Sequence, residues 1–386
     1  GKDLYSIYVN NNPDTKIFTG KSLGVGGSLQ VNHFDPTSSS YFGDVSAVIM
    51  QNLPGWVEFK RTPSLETALM NDWEPKIEQI ARETARENVT HIAGVPTWTV
   101  LLLQRITRLE GKSNILEVWP NLEVFFHGAV AFHPYRNLFK ALIPGDYMRY
   151  WETYNASEGF FGIQDRSDSE DLLLMLDYGV FYEFIPQDNP DGPEAEAVCL
   201  DQVEVGKNYA MVITTNSGLW RYRIGDTIRF TSTSPFRIRI SGRTKHFINA
   251  FGEEVIVENA ETAITRACES TGAVIDNFTA APVYLEQGKR GGHEWIIEFR
   301  VRPRSMEEFT GVLDDTIRKI NSDYDAKRTK DLALVAPIVH AVAEGTFYNW
   351  MKRRGKLGAQ NKVPRLSNSR EYVNDILAML EAGPVN

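Results

Sequence analysis

Apolar positions give the first division of the chain. Across residues 64–88 they recur at three- and four-residue spacings, with Leu65, Leu69, Ile77, Ile80 and Ala81 on one side, which predicts a helix interrupted or restarted at Pro75. Continuous apolar stretches at 122–126 and 172–185 predict buried strands, with a helix over 135–142 between them. Helices mixed with apolar strands predict a layered α/β body. After Gly192 strands dominate, at 210–215, 220–230 and 236–240, and in the last of these Phe236, Ile238 and Ile240 alternate with Arg237 and Arg239. Beyond residues 243–246 the rhythm changes. A helix over 257–270 is stopped by Gly272, Trp295, Ile297, Phe299 and Val301 share one face of a strand, and Phe309, Val312, Leu313, Ile317 and Ile320 line one side of a further helix. The fold expected is α/β: a large layered domain over 1–242 whose later part is a β-rich subdomain, and a smaller α+β domain over 243–386.

Composition narrows the function classes. The 386 residues are 42% hydrophobic and 24% charged, and no apolar run is long enough to span a membrane. Forty-one Lys and Arg against fifty Asp and Glu leave a net charge of -9, which argues against nucleic acid as a partner while allowing a small anion met by local cations. Cys199 and Cys268 are the two cysteines and form no metal-ligand or disulfide pattern. The start, Gly1-Lys2-Asp3, has no charged-then-apolar leader pattern, so a cytoplasmic location is expected; it also lacks a methionine.

Three stretches bear on chemistry. KIFTGKSLGVGGSLQ, residues 16–30, suggests a phosphate-cradling loop, but the eight-residue window ending at Gly20, Lys21 and Ser22 starts with Thr15 where a glycine must start the turn. The glycines at 24, 26 and 27 then read as a surface turn, and an ATPase using Lys21 is the disfavoured rival. GLWRYRIGD, residues 218–226, is a strand of alternating aromatic and arginine residues that ends on Asp226, whose two acceptor oxygens match the vicinal hydroxyls of a ribose. YNASEG, residues 154–159, brings an aromatic ring, small residues, a hydroxyl and a carboxylate together, a set able to meet adenine, a phosphate oxygen and magnesium. In isolation GLWRYRIGD reads equally as a plain strand entering a turn, and YNASEG reads more readily as a plain loop.

Their order, followed by SGRTKHFINAFGEEV, resembles the adenylate-forming superfamily of acyl-CoA synthetases, adenylation domains and luciferases. More closely the chain resembles the Gretchen-Hagen-type, auxin-responsive acyl acid amido synthetases of plants and their bacterial relatives. YNASE matches that family's Y-x-x-S-E, GLWRYRIGD its G-L-[YW]-R-Y-R-x-G-D, QNKVPR at 360–365 its Q-x-K-x-P-R, and VWPNLEVFFHGAV its W-P-N strand and turn. The resemblance covers 118–365. The family's S-S-G-T-[ST]-x-G-x-x-K phosphate loop has no counterpart, so the sequence is expected to begin after it, with the large domain incomplete.

The resemblance implies activation of a carboxylic acid by ATP with magnesium, giving an acyl-adenylate, then transfer to an amine, an amino acid in this family. It implies that Tyr154 lies beside adenine, Ser157 meets phosphate, Glu158 holds magnesium, Asp226 binds ribose, and Arg243 and Tyr222 belong to the nucleotide site. Lys362 is the implied catalytic lysine, carried by a mobile small domain, with Lys356 in RGKLG as the competing candidate. The acyl pocket is expected among His127, Gly128, Ala129 and Val130, with Val95, Pro96 and Trp98 near it, although Trp98 reads more readily as core than as pocket. His33, His91 and His293 have no metal-ligand spacing and read as structural or exposed. A thiol acceptor and a catalytically degenerate binding protein stay open as alternatives.

Overall fold

The computed structural model describes residues 2–27, 29–31, 41–70, 72–130, 132–187, 196–244, 247–286, 290–354 and 363–381. The chain forms two compact units, Gly1–Gly242 and Arg243–Asn386. The first runs through α1 (Lys2–Asn11), β1 (Lys21–Val25), β2 (Leu29–Val31), β3 (Tyr41–Gly43), α2 (Val45–Gln51), β4 (Arg61–Thr62), α3 (Leu65–Ala68), α4 (Trp73–Thr84), β5 (Val89–Gly94), α5 (Pro96–Glu110), β6 (Val124–His127) and α6 (Arg136–Leu142). The strand-rich part follows: β7 (Arg149–Ala156), β8 (Gly159–Gln164), β9 (Leu172–Leu174), β10 (Val180–Pro186), β11 (Asn208–Thr215), β12 (Tyr222–Thr233) and β13 (Phe236–Arg243).

Among the described residues these strands build an eleven-stranded sheet in the order β10-β11-β12-β13-β9-β8-β7-β6-β5-β1-β4. Strands β4, β1, β5, β6 and β7 are parallel, and from β8 onward the pairings are antiparallel. Helices cover both faces of the parallel part, as an all-parallel segment requires. On one face Tyr8 of α1 packs edge-on against Phe126 and Trp151. On the other Phe139 of α6 stacks on Phe125.

Two expectations change in detail. The predicted helix over 64–88 breaks before Pro75: Ser64 caps α3, and Asp72 caps α4 by accepting from the Glu74 N–H. Pro75 then sits in the first turn of α4, where its missing N–H removes no helical bond. The apolar run 172–185 is two strands, β9 and β10, because Asp177 and Gly179 turn the chain between them.

The second unit contains β14 (Phe247–Ile248), β15 (Val255–Ile256), α7 (Val257–Thr271), β16 (Val274–Val283), β17 (Gly292–Val301), α8 (Met306–Ile320), α9 (Ser322–Arg328), β18 (Ile338–Val342), α10 (Thr346–Arg353) and α11 (Glu371–Glu381). Strands β16, β17 and β18 form a sheet with β17 central. Both of its faces are covered. Phe309 of α8 packs on Phe299, while Phe347, Trp350 and Met351 of α10 and Val373 and Ile376 of α11 pack with Ile296. The face of β17 opposite Trp295, Ile297 and Phe299 is therefore buried as well, and its carboxylate Glu298 goes inside because it accepts the Gly345 and Phe347 N–H groups, both at 2.9 Å, at the start of α10.

No helix among the described residues is long and apolar enough to cross a membrane.

Candidate nucleotide and acid site

The carboxyl ends of β1, β5 and β6 finish in register, opposite the middle of β7. Val25 of β1 pairs with Gly94 of β5, Gly94 with His127 of β6, and His127 with Glu152 of β7. The connections that leave this row are Gly26-Gly27, the Val95-Pro96 entry to α5, Gly128 to Val130, and the Ser157-Glu158 turn of the β7–β8 hairpin. Open α/β sheets bind ligands at this edge. The glycines at 24, 26 and 27 thus do not make one surface turn: Gly24 lies within β1, an interior strand between β4 and β5, and Gly26 and Gly27 form its exit into this edge.

Tyr154 and Asp226 meet here from distant parts of the sequence. The Tyr154 hydroxyl donates to Asp226 Oδ2 at 2.5 Å, and both side chains are buried. The ring of Tyr154 packs 5.1 Å from that of Phe161. Asp226 reaches this position through a bulge: Ala210 pairs with Thr227 but Val212 pairs with Arg223, so the two strands fall out of step between those pairs. Gly225 within the bulge has φ of 90°, a value that favours glycine. Ser157 is exposed and Glu158 half-buried in the hairpin turn. Tyr222, at the start of β12, is exposed and is not part of the Tyr154–Asp226 contact.

The residues expected around the acid lie along the same edge. His127 is buried, its ring stacks on Phe132 at 4.2 Å, and its Nδ1 has no hydrogen-bond partner. Burial, with Arg136 adding to it, pulls its pKa down to about 3, so the imidazole is neutral. A Cβ on Gly128 would stand 2.5 Å from the Thr153 carbonyl, so only glycine fits, and Ala129 follows with φ of 69°. Val130 is buried. Trp98, in the first turn of α5, is buried too, and its indole stacks on Trp73 of α4 at 3.9 Å and 5°.

Two side chains at this edge carry no signal in the sequence. Glu152 lies opposite His127 and two residues before Tyr154; burial first and Glu170 second push its pKa up to about 7, against Arg239 and Arg136. Lys76 of α4 is fully buried and donates to the carbonyls of Gly26 and Gly27, both at 3.0 Å. Helical spacing puts Ile77 and Ile80 on the inner face and gives no reason to place a lysine there.

Lys362 and Lys356 lie outside the described residues, as does the side chain of Arg243. The residues after Lys362 are fixed. Pro364 O accepts from Thr279 Oγ1 at 2.6 Å, Arg365 O from the Ala280 N–H at 2.9 Å, and Ala280 O from the Ser367 N–H at 3.0 Å, so this stretch runs along β16. The Arg365 guanidinium donates to Asn277 Oδ1 at 2.5 Å and lies 4.6 Å over the Phe278 ring. Among the described residues no group of three or more His, Cys, Asp or Glu side chains could hold a metal ion. A single carboxylate at a turn, Glu158, still fits magnesium, which takes one or two protein carboxylates and completes its shell with phosphates and water.

Against known families, residues 1–148 match the GH3 family N-terminal domain, 173–243 its central domain and 258–371 its C-terminal domain. The chain belongs to the GH3 family. An indole-3-acetic acid-amido synthetase, GH3.3 of Arabidopsis thaliana, is 25% identical over 326 residues, 77% of this chain and 54% of that protein. A second, GH3.4 of the same plant, is 29% identical over 276 residues, 65% and 45% of the two chains. The plant's 4-substituted benzoates-glutamate ligase GH3.12 is 25% identical over 285 residues, 67% and 48%. This GH3 chain thus spans about half the length of these relatives. The solved structure of the AtGH3.15 acyl acid amido synthetase in complex with 2,4-DB overlays with a TM-score of 0.52 at 16% identity, covering 98% of this chain and 76% of that one. The fold is similar to that structure's, mixed α/β around a large sheet.

Proposed function

We propose that this GH3 chain carries the nucleotide and acid sites of a cytoplasmic acyl acid amido synthetase that uses ATP and magnesium. The carrying observation is the Tyr154–Asp226 contact, close in sequence to the Ser157-Glu158 turn, at the carboxyl edge where open α/β sheets bind ligands. In the first step a substrate carboxylate oxygen attacks the α-phosphorus of ATP and pyrophosphate leaves. In the second an amine nitrogen attacks the acyl carbon, AMP leaves with the C–O bonding pair, and the amine gives up a proton. Asp226, steadied by the Tyr154 hydroxyl, accepts hydrogen bonds from the ribose hydroxyls; Ser157 donates to a phosphate oxygen; Arg243 supports the nucleotide. Glu158 is the residue to hold magnesium, which when bound offsets phosphate charge. Lys362, delivered by motion of residues 243–386, puts its ammonium against the carboxylate and α-phosphate oxygens as negative charge builds there. The relatives named for indole-3-acetic acid and 4-substituted benzoates support an aromatic acid as substrate and an amino acid as acceptor; we assign the acid to His127, Gly128, Ala129, Val130 and Trp98.

Acid-dependent exchange of labelled pyrophosphate into ATP by the full-length natural chain tests this reading. Asp226→Asn and Lys362→Ala are expected to lower exchange by about 10²–10³. Absence of exchange across aromatic and aliphatic acids, or variants that exchange like the wild type, would sink it.

A further inference from the structure

Glu152 is a carboxylate that the fold leaves without a partner. Alternation along β7 puts Tyr150, Glu152 and Tyr154 on one face and Trp151 on the other, and the ring contacts agree: Tyr150 packs 4.8 Å from Phe132, and Trp151 packs 5.3 Å from Tyr8 of α1. The same Phe132 stacks on His127, which lies beside Glu152 in the parallel pairing of β6 and β7. On the other side Gln164 of β8 accepts from the Glu152 N–H at 2.9 Å and donates to Arg166 O at 3.0 Å, so both of its amide atoms are engaged by backbone. The Glu152 side chain is half-buried, and among the described residues no donor meets its carboxyl. The guanidiniums that face it are held by other carboxylates, Arg136 by Glu170 and Arg239 by Asp171. A carboxyl group taken out of water without a hydrogen bond works against stability, which marks it as a group kept for something other than the fold.

Amide formation sheds one proton from the attacking nitrogen, and the base that receives it has to stand where nucleotide and acid meet. Glu152 stands there: it is the strand neighbour of His127, assigned to the acid, and lies two residues before Tyr154, assigned to the nucleotide. The other titratable groups of this edge are unsuited. Asp226 is committed to the Tyr154 hydroxyl and the ribose, Glu158 to magnesium, and His127, pulled down to about 3, is too weak a base to hold a proton near neutral pH. We infer that Glu152 is the general base of the amide-forming step, its carboxylate receiving the proton that the acceptor amine sheds as it attacks the acyl carbon. This rests on the amido synthetase reading above. The neutral amine forms the C–N bond, the C–O bond to AMP breaks with its electron pair going to AMP, the nitrogen's proton passes to a Glu152 oxygen, and Glu152 returns that proton to water.

The surroundings suit that task. Burial first and then Glu170, ahead of β9, push Glu152 up to about 7, while Arg239 of β13 and Arg136 of α6 oppose; His127 on β6 is neutral and Gln164 on β8 uncharged. A carboxylate of that affinity is ionised above pH 7 and still binds a proton firmly enough to take one from nitrogen as the C–N bond forms. Below about pH 7 it is already protonated, so amide formation is expected to fade as pH falls through this value. Adenylation, in which no amine takes part, is expected not to follow this group.

The test separates the two half-reactions in the full-length natural chain, with whichever of benzoate and indole-3-acetate supports pyrophosphate exchange as the acid and the common amino acids as acceptors. Acyl-adenylate formed on the protein is mixed with excess amino acid, and amide is followed over a single turnover. Glu152→Gln is expected to slow amide formation about 10²-fold or more and to remove its pH dependence near 7, while pyrophosphate exchange changes by no more than about threefold. Glu152→Ala is expected to be as slow and to regain rate with added formate, a small carboxylate able to enter the space left by the side chain. Exchange and amide formation that fall together, an amide rate like the wild type's, or a pH dependence near 7 that survives Glu152→Gln would overturn the inference, as would a wild type that exchanges pyrophosphate but joins the acid to no amine. A wild-type chain without acid-dependent exchange removes the functional reading and this inference together, whereas amide formation unaltered by Glu152→Gln removes this inference alone.

Discussion

A phenol 2.5 Å from a carboxylate oxygen in a buried setting is a strong directional contact, and it decides which way Asp226 faces. Deleting the hydroxyl leaves Asp226 with one donor fewer and the Tyr154 ring packing intact. Tyr154→Phe is expected to destabilise the chain by about 1–3 kcal/mol and, in the full-length protein, to raise KM for ATP roughly tenfold. Chemical denaturation and pyrophosphate exchange check the two parts. A variant with wild-type values in both would mean that the Tyr154 hydroxyl does not orient Asp226. Asp226 and Tyr154 were legible in the sequence because each sits in a motif with a chemical reason behind it. Their contact was not, because the 72 positions that separate them carry no record of which strands become neighbours.

At the level of elements, the stretch after Lys362 shows how a residue is aimed by its downstream neighbours. Pro364, Arg365 and Ser367 lie along β16 as a further strand-like row, and Arg365 closes onto Asn277 and Phe278. Arg365→Ala removes the hydrogen bonds to Asn277 Oδ1 and Phe278 O and a cation–ring contact, together worth about 1–2 kcal/mol, and frees the chain next to Lys362. Its expected effect in the full-length protein is a fall in kcat for exchange of about tenfold with KM for ATP unchanged, read by steady-state kinetics; a change confined to KM for ATP would place Arg365 elsewhere in the mechanism. Elements of long, clear period were readable: α7 with its Gly272 stop and α8 with its apolar side fall where spacing puts them. Those set by partners were not. The inner place of Glu298 depends on α10 lying beside it, and the buried Lys76 depends on two carbonyls 49 and 50 positions earlier. The glycines at 24, 26 and 27 misled for the same reason, since a strand exit at a sheet edge and a solvent turn have the same composition.

For the molecule as a whole, buried titratable groups at and near the active edge set a stability profile with a defined sign. Burial pulls His91 down to about 4 and His127 to about 3 from 6.5, so the unfolded chain binds more protons below pH 6.5 and stability is lost as pH falls from there toward 4. Glu152 works the other way: raised from 4.5 to about 7, it contributes stability at low pH that is lost as pH rises from about 4.5 through 7. Two histidines outweigh one carboxyl, so the profile between pH 4 and 6.5 should rise. Glu152→Gln removes the opposing slope and is expected to stabilise the chain at pH 8 by on the order of 2 kcal/mol relative to wild type, with little gain at pH 4.5. Urea denaturation of both proteins at a series of pH values measures this, and equal gains at the two pH values would mean that Glu152 is not the titrating group. Above pH 8 Lys76, depressed from 10.5, gives a slope that again favours the folded chain, because the unfolded lysine holds its proton longer.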